Sequence, residues 1–322
     1  MSNDWHHLLA FLQEHRHRPL ALATLVAREG SSYRQPGARL LVAPGGPSVG
    51  SLSGGCLEEG IAQVAQRVLA DGQARTERID TRPHFGCPGK LTILIEKLPP
   101  GGLREAITTR IANRETFTLS TNATETRLGA PESAHDFVET VHPRPRLLVV
   151  GWTADENPLF EMAQILHWEC YRLLKSPRQQ VAQVAHEFAT FCPAEELEER
   201  FPPDSATALL VMSHHLATDL AFLNAAIPAN YSYLGLLGSK RRREELLAEL
   251  GARGLLEDPT WVERFYAPVG LDLGADNPAT IALAILAEIQ AVFAHRQGGF
   301  LRERLGSIHG QGQRKALESL TQ

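Results

Sequence analysis

Two cysteines stand among glycines in the first third of the chain: Cys56 in GSLSGGCLEEG (50–60) and Cys87 in FGCPGK (85–90). A thiolate is a soft metal ligand and a carrier of sulfur, and its pKa falls where the unpaired N–H groups of a helix start point at it. Ser53, Gly54 and Gly55 read as a turn that lets another molecule approach the backbone, and CLEEGIAQVAQRVLADG (56–72) reads as a helix with Cys56 in its first turn. A small cysteine buried under a sheet is an equally good reading of this stretch alone. The second glycine-flanked cysteine favours a pocket shared by the two loops. Glu58 can accept hydrogen bonds or a proton there, whereas Glu59 reads as a helix-start acid that complements the dipole. Arg34 and Arg39 flank SSYRQPGAR and suit phosphate or carboxylate, with a plain surface role equally open.

A second group of candidates lies beyond residue 146. In YLGLLGSKRRREELL, Gly238 and Ser239 end a strand, and Lys240, Arg241 and Arg242 open a helix, so free N–H groups and cations coincide at a place suited to an anion. A solvated helix face paired to Glu244 and Glu245 is the competing reading. His214, His215 and Asp219 in MSHHLATD fit helix capping better than metal ligation, which needs a further ligand. Where a dinucleotide-binding domain carries GxGxxG, this chain has Gly151-Trp152-Thr153-Ala154-Asp155-Glu156, and Lys175 stands where an acid usually meets ribose. Lys175 or Arg178 can meet a phosphate, but ordinary NAD(P) binding is disfavoured by the bulk of Trp152 and the two acids.

These residues need two kinds of scaffold. In the first region a helix near the N-terminus is followed by a strand at 20–30, a hairpin around Pro44–Pro47, the 56–72 helix, and strands at 74–81 and 91–98. Residues 121–145, rich in Thr, Pro, Glu and His, show no convincing period and read as a linker. From 146 the pattern alternates: strands at 146–151, 170–175, 207–213 and 231–238, with helices at about 158–167, 216–227 and 239–251. Asn277-Pro278 then announces a last long helix. The fold class that follows is α/β: a mixed α/β domain over 1–120, the linker 121–145, a Rossmann-like doubly wound parallel-sheet domain over 146–297, and a polar tail over 298–322.

Composition narrows the function. The chain has 322 residues, 43% of them hydrophobic and 21% charged, which suits two ordinary cores, and its formal net charge of -5 provides no footprint for nucleic acid or an anionic membrane. No apolar run approaches the roughly 18 residues of a membrane span, and the first residues lack a signal peptide, so a cytoplasmic location is expected. Cys56, Cys87, Cys170 and Cys192 form no CxxC pair, which argues against a zinc knuckle or a disulfide scaffold.

GSSYRQPGARLLV, SGGCLEE, FGCPGK, VMSHHLATDL, YLGLLGSKRRR and APVGLDLGADNPATIALAILAEI, in that order, closely resemble the XdhC/CoxI family of xanthine dehydrogenase accessory factors. The resemblance covers most of residues 5 to 295. It implies a maturation chaperone rather than a catalyst: a protein that binds molybdenum cofactor, as molybdopterin or its nucleotide form, and supports its sulfuration by a cysteine desulfurase. It also implies insertion of that cofactor into the apoenzyme of a molybdenum hydroxylase, and a homodimer. Cys56 then matches the cysteine of the SGGCLE motif and Cys87 that of a GCGG loop, both as molybdenum ligands. The cofactor-binding set would be Cys56, Cys87, Ser53, Gly54, Gly55, Glu58, Arg34 and Arg39, with Gly238, Ser239, Lys240 and Arg241. The chain departs from the family at Pro88, in place of a glycine, and at GWTADENP, in place of a glycine-rich turn. A nicotinamide-dependent oxidoreductase and a docking scaffold without cofactor are the alternatives.

Overall fold

The computed structural model describes residues 4–30, 32–55, 57–81, 89–175, 188–256 and 259–305. Cys56, Cys87 and Arg178 lie outside the described residues, as does the chain from 306 onward. The chain forms two compact units, the first reaching His142 and the second spanning Pro143–Glu303.

In the first unit, α1 (Asp4–Glu14) leads to β1 (Leu20–Gly30), β2 (Arg39–Val42) and β3 (Ser48–Gly50), then α2 (Glu58–Asp71), β4 (Arg75–Asp80) and β5 (Gly89–Leu98). The strands form an antiparallel sheet in the order β3-β2-β1-β5-β4. Both faces are covered, which is why β1 reads as a nearly continuous apolar run and not as an alternation. Ala21, Ala23, Leu25, Ile93 and Ile95 pack under Ile61, Val64 and Val68 of α2. Leu20, Leu22 and Leu98 meet Trp5, Leu8 and Leu12 of α1 on the other side.

The unit continues through α3 (Gly102–Ala112), β6 (Phe117–Thr121), β7 (Thr126–Leu128) and β8 (Phe137–Val141), the strands pairing as β7-β6-β8. The expected linker at 121–145 is therefore structured: it contributes two strands to a small antiparallel sheet. Its period is short but present, since Phe137, Glu139 and Val141 are buried while Val138 and Thr140 face outward.

The second unit contains β9 (Arg146–Val150), α4 (Asn157–Ile165), β10 (Glu169–Leu174), β11 (Ala189–Phe191), α5 (Leu197–Arg200) and β12 (Thr207–Val211). It goes on through α6 (Leu216–Ala226), β13 (Tyr233–Leu236), α7 (Lys240–Ala252), β14 (Phe265–Tyr266) and α8 (Pro278–Phe293). Its sheet is parallel in the order β11-β10-β9-β12-β13-β14. This is the doubly wound Rossmann order, which reverses direction between β9 and β12 and opens a crevice at their carboxyl ends. Leu147, Val149 and Leu210 pack on Phe160 of α4 and Ile285 and Ile289 of α8. Leu148, Val150 and Leu209 pack on Leu223 of α6 and Leu246 of α7. Asn277 caps α8 as expected, its side chain accepting from the N–H groups of Ala279 and Thr280, both at 3.1 Å. Beyond α8, Leu301–Glu303 form one exposed 3-10 turn.

Candidate functional site

The turn before α2 is held together by one carboxylate. Glu58 Oε1 accepts from Ser51 Oγ at 2.9 Å and from the N–H groups of Leu52 at 2.8 Å and Ser53 at 2.9 Å. Its Oε2 accepts from Ser53 Oγ at 2.8 Å and Leu57 N–H at 3.0 Å. Burial alone pushes this carboxyl up, but the hydrogen bonds from Ser53, Leu52 and Ser51 outweigh it and hold the pKa down at about 2. Glu58 thus spends its acceptor capacity on its own turn and stays ionised near neutral pH.

With the acid folded inward, Gly54 and Gly55 are left exposed at φ of 83° and 113°, a left-handed region that disfavours any side chain. A Cβ at Gly54 would lie 3.1 Å from the ring of Tyr33, which is itself 74% exposed. Arg34 donates from Nε to the Ser51 carbonyl at 3.3 Å. Arg34, Ser53, Gly54, Gly55 and Glu58 are thereby brought to one turn. α2 begins at Glu58, with Leu57 as its N-cap, and the expected place of Cys56 in the first turn lies outside the described residues.

Arg39 does not join them. Its side chain is fully buried, pairs with Glu139 of β8, donates to the Gly37 carbonyl at 2.6 Å and lies 4.5 Å from the centre of the Trp5 ring. The guanidinium is a core fixture of the first unit, so its assignment to cofactor binding is corrected. Its partner lies 100 residues downstream in chain order, beyond any local pattern.

The turn after β9 is closed in a related way. Glu156 accepts from Thr153 N–H at 3.1 and 3.2 Å and from Thr153 Oγ1 at 3.2 Å, and pairs with Arg172 of β10. Both side chains of the pair are fully buried, and the Arg172 guanidinium stacks 4.5 Å from the Phe160 ring centre. Burial raises the Glu156 pKa against the opposing pull of Thr153 and Arg172, and burial lowers that of Arg172. A Cβ on Gly151 would come within 2.3 Å of Glu156 Oε1, so the carboxylate lies directly against the glycine. Of the two acids expected to face this turn only Glu156 does so, and Asp155 is exposed. Lys175 follows β10 directly, with Nζ 5.2 Å from the Trp152 ring centre and 3.3 Å from Thr218 Oγ1.

At the third turn, Ser239 caps α7 by accepting from Arg242 N–H at 3.2 Å. Arg241 turns along the helix to Glu245 at 3.3 Å, with Lys240 exposed beside it. The cation drawn inward is Arg242, one of the three read at the helix start but left out of the cofactor-binding set: it meets the buried Asp219 at 2.5 Å, and a Cβ at Gly238 would lie 2.8 Å from its Cδ. Asp219 also accepts from Ser213 Oγ, while His215 Nδ1 meets Thr218 Oγ1 at 3.1 Å. The histidine and the acid therefore serve the α6 start separately, and no cluster of His, Cys, Asp or Glu fit for a metal occurs among the described residues. Burial pushes the thiols of Cys170 and Cys192 up to about 12 and about 11, which disfavours the thiolate form at neutral pH.

The molecule is thus a two-domain α/β protein with a Rossmann-type second domain whose first turn is filled by its own side chain. Residues 147–289 match the XdhC Rossmann domain and residues 14–80 match the XdhC and CoxI family. The chain belongs to the XdhC/CoxI family. It is 29% identical to a Bacillus subtilis (strain 168) protein whose name describes a probable xanthine dehydrogenase component, over 89% of this chain and 96% of the relative. It is 28% identical to the molybdenum cofactor insertion chaperone PaoD of Escherichia coli (strain K12), over 86% and 84%. A Bacillus halodurans crystal structure described as a xanthine dehydrogenase shares the fold with a TM-score of 0.71 at 24% identity, over 92% of this chain and 97% of that one. No helix among the described residues is long and apolar enough to cross a membrane.

Proposed function

We propose that this protein is a molybdenum cofactor-binding chaperone that supports sulfuration of the cofactor and its insertion into a molybdenum hydroxylase of the xanthine dehydrogenase type. The observation that carries this reading is the Glu58-organised turn. Five hydrogen bonds from its own residues fix the backbone on either side of two exposed glycines, next to which stands Cys56. In this reading Cys56 supplies the soft donor that molybdenum prefers, and the exposed glycines beside it in sequence give a bulky ligand access to the backbone. Ser53, Gly54, Gly55 and Arg34 line the approach, and Cys87 is a second donor.

The family and the name of the Escherichia coli relative support the cofactor. The partners in this reading are the hydroxylase apoenzyme and a cysteine desulfurase, in the cytoplasm, with a homodimer as the working form. The protein isolated from cofactor-producing cells is expected to carry molybdenum and pterin, measured by elemental analysis and pterin fluorescence. Cys56→Ser should lose most of both at an unchanged melting temperature, and Cys87→Ser a smaller part. Full retention of cofactor by Cys56→Ser, or a wild-type protein devoid of it, defeats the reading.

A further inference from the structure

The last helix, α8, reads PATIALAILAEIQAVF, with Thr280, Glu288 and Gln290 as its polar residues. Its inner face is accounted for. Ile285, Leu286 and Ile289 pack in the core with Phe160 of α4, and Glu288 accepts from the Tyr233 hydroxyl at 2.5 Å and from Gly270 N–H at 3.0 Å. The outer row consists of Ala279, Leu283, Ala287 and Ala291, each four residues from the next and so on one face. Leu283, at its middle, is 52% exposed. No charged side chain belongs to this row, whereas α7 exposes Lys240, Arg241, Glu244, Glu245 and Glu249. A helix that is apolar all round belongs in an interior. The apolar surface continues to exposed Leu273, whose segment is tied to α8 by the Leu271 N–H bonding to the Ala284 carbonyl at 3.2 Å.

Charge returns only at the two ends of the helix. Asp272 and Asp276 stand exposed before it, and Arg296 stands exposed after it. Leu283 and Ala287 lie on either side of its midpoint. A copy of α8 turned end for end therefore sets acids against arginine at both ends and Leu283 against Ala287 at the centre. The helix macrodipoles oppose one another in the same arrangement. A surface complementary to itself in this way is what a twofold interface requires.

We propose that the outer face of α8 is the surface on which a second copy of this chain packs, the two helices running antiparallel about a twofold axis near Leu283 and Ala287. The inference rests on the homodimer named in the proposed function and assigns that dimer its surface.

Sedimentation equilibrium of the full-length protein, over roughly 1–50 μM so as to bracket micromolar dissociation, should give a dimer for the wild type. Leu283→Asp buries an unpaired charge in each half of the interface and should weaken dimerisation by about a hundredfold, which leaves a folded monomer. Asp276→Arg sets like charges together and should weaken it by about tenfold, and adding Arg296→Asp to that variant should restore it. The two charge variants are at exposed positions outside the helix, so they remain informative should Leu283→Asp fail to fold. Restoration by the exchanged charges separates a second copy from any other cover for this face, whether residues 306–322 or a different protein. A monomeric wild type, a dimer that Leu283→Asp leaves intact, or a charge exchange without recovery overturns the proposal. In the second case the homodimer stands and its interface lies elsewhere. Molybdenum content is measured on the same preparations: a dimer broken by Leu283→Asp in protein that never acquires cofactor keeps this interface and defeats the chaperone reading.

Discussion

The two units each fold a glutamate back onto the turn that precedes a helix, with opposite results. Glu58 is satisfied by hydroxyls and N–H groups and stays at the margin of the core, so its turn remains open, with two glycines exposed. Glu156 is fully buried, accepts from Thr153, pairs with the Arg172 guanidinium, and lies against Gly151. The first carboxylate shapes a surface for something else to occupy, and the second occupies the place itself. One residue type in one local position therefore organises a site or closes one, depending on whether its charge is balanced by hydrogen bonds at the surface or by a cation in the core.

The largest effect should follow from breaking the buried pair. Glu156→Ala leaves Arg172 charged in the core, and removing one partner of a buried ion pair typically costs about 3–5 kcal/mol. Urea unfolding of the variant should show that loss, and a loss below about 1 kcal/mol, the level of an exposed pair, would mean that water reaches Arg172. At the other turn, Glu58→Gln disturbs a set of hydrogen bonds to a charged acceptor and should cost about 1–3 kcal/mol at pH 7. The contribution carries a pH signature. The folded pKa is held at about 2, below the ordinary 4.5, so the stabilisation is fully present above 4.5 and is lost as pH falls through 2. The gap in unfolding free energy between wild type and Glu58→Gln should therefore shrink between pH 5 and pH 2. A gap independent of pH would show that the neutral carboxyl holds the turn as well as the carboxylate does.

Much of the frame behind this comparison is legible in the sequence. The strands β9 and β12 are short apolar runs buried on both faces, the α8 cap is written in Asn277-Pro278, and the missing glycine fingerprint is plain in GWTADE. What escapes is short or nonlocal. The edge strands β11 and β14 span three and two residues, too few to show a period. Arg39 looks like a surface or ligand cation until a partner 100 residues away is brought to it. Glu58 could be suspected of lining a pocket, but the hydrogen bonds it accepts from Ser51, Leu52, Ser53 and Leu57 depend on the glycine turn that returns the chain to it.

The smallest expected effect is the sharpest test of the closed turn. A dinucleotide that bound the folded second unit at 100 times its dissociation constant would stabilise it by about 2.7 kcal/mol. We expect NAD(H) and NADP(H), at millimolar concentration in physiological salt, to leave the unfolding transition where it was and to give no saturable heat. The reason is local: Glu156 already takes the Thr153 N–H, and its carboxylate rests on Gly151. Trp152 and Lys175 stack at the ends of the same strands. A pyrophosphate bound at this turn would have to displace a buried anion from its arginine and lodge a second negative charge close by, at a cost that the remaining contacts of a dinucleotide must exceed. Micromolar binding in calorimetry would show that Glu156 leaves the turn when ligand arrives. The second turn would then be a gated site, and the contrast with the open Glu58 turn would be one of occupancy and not of design.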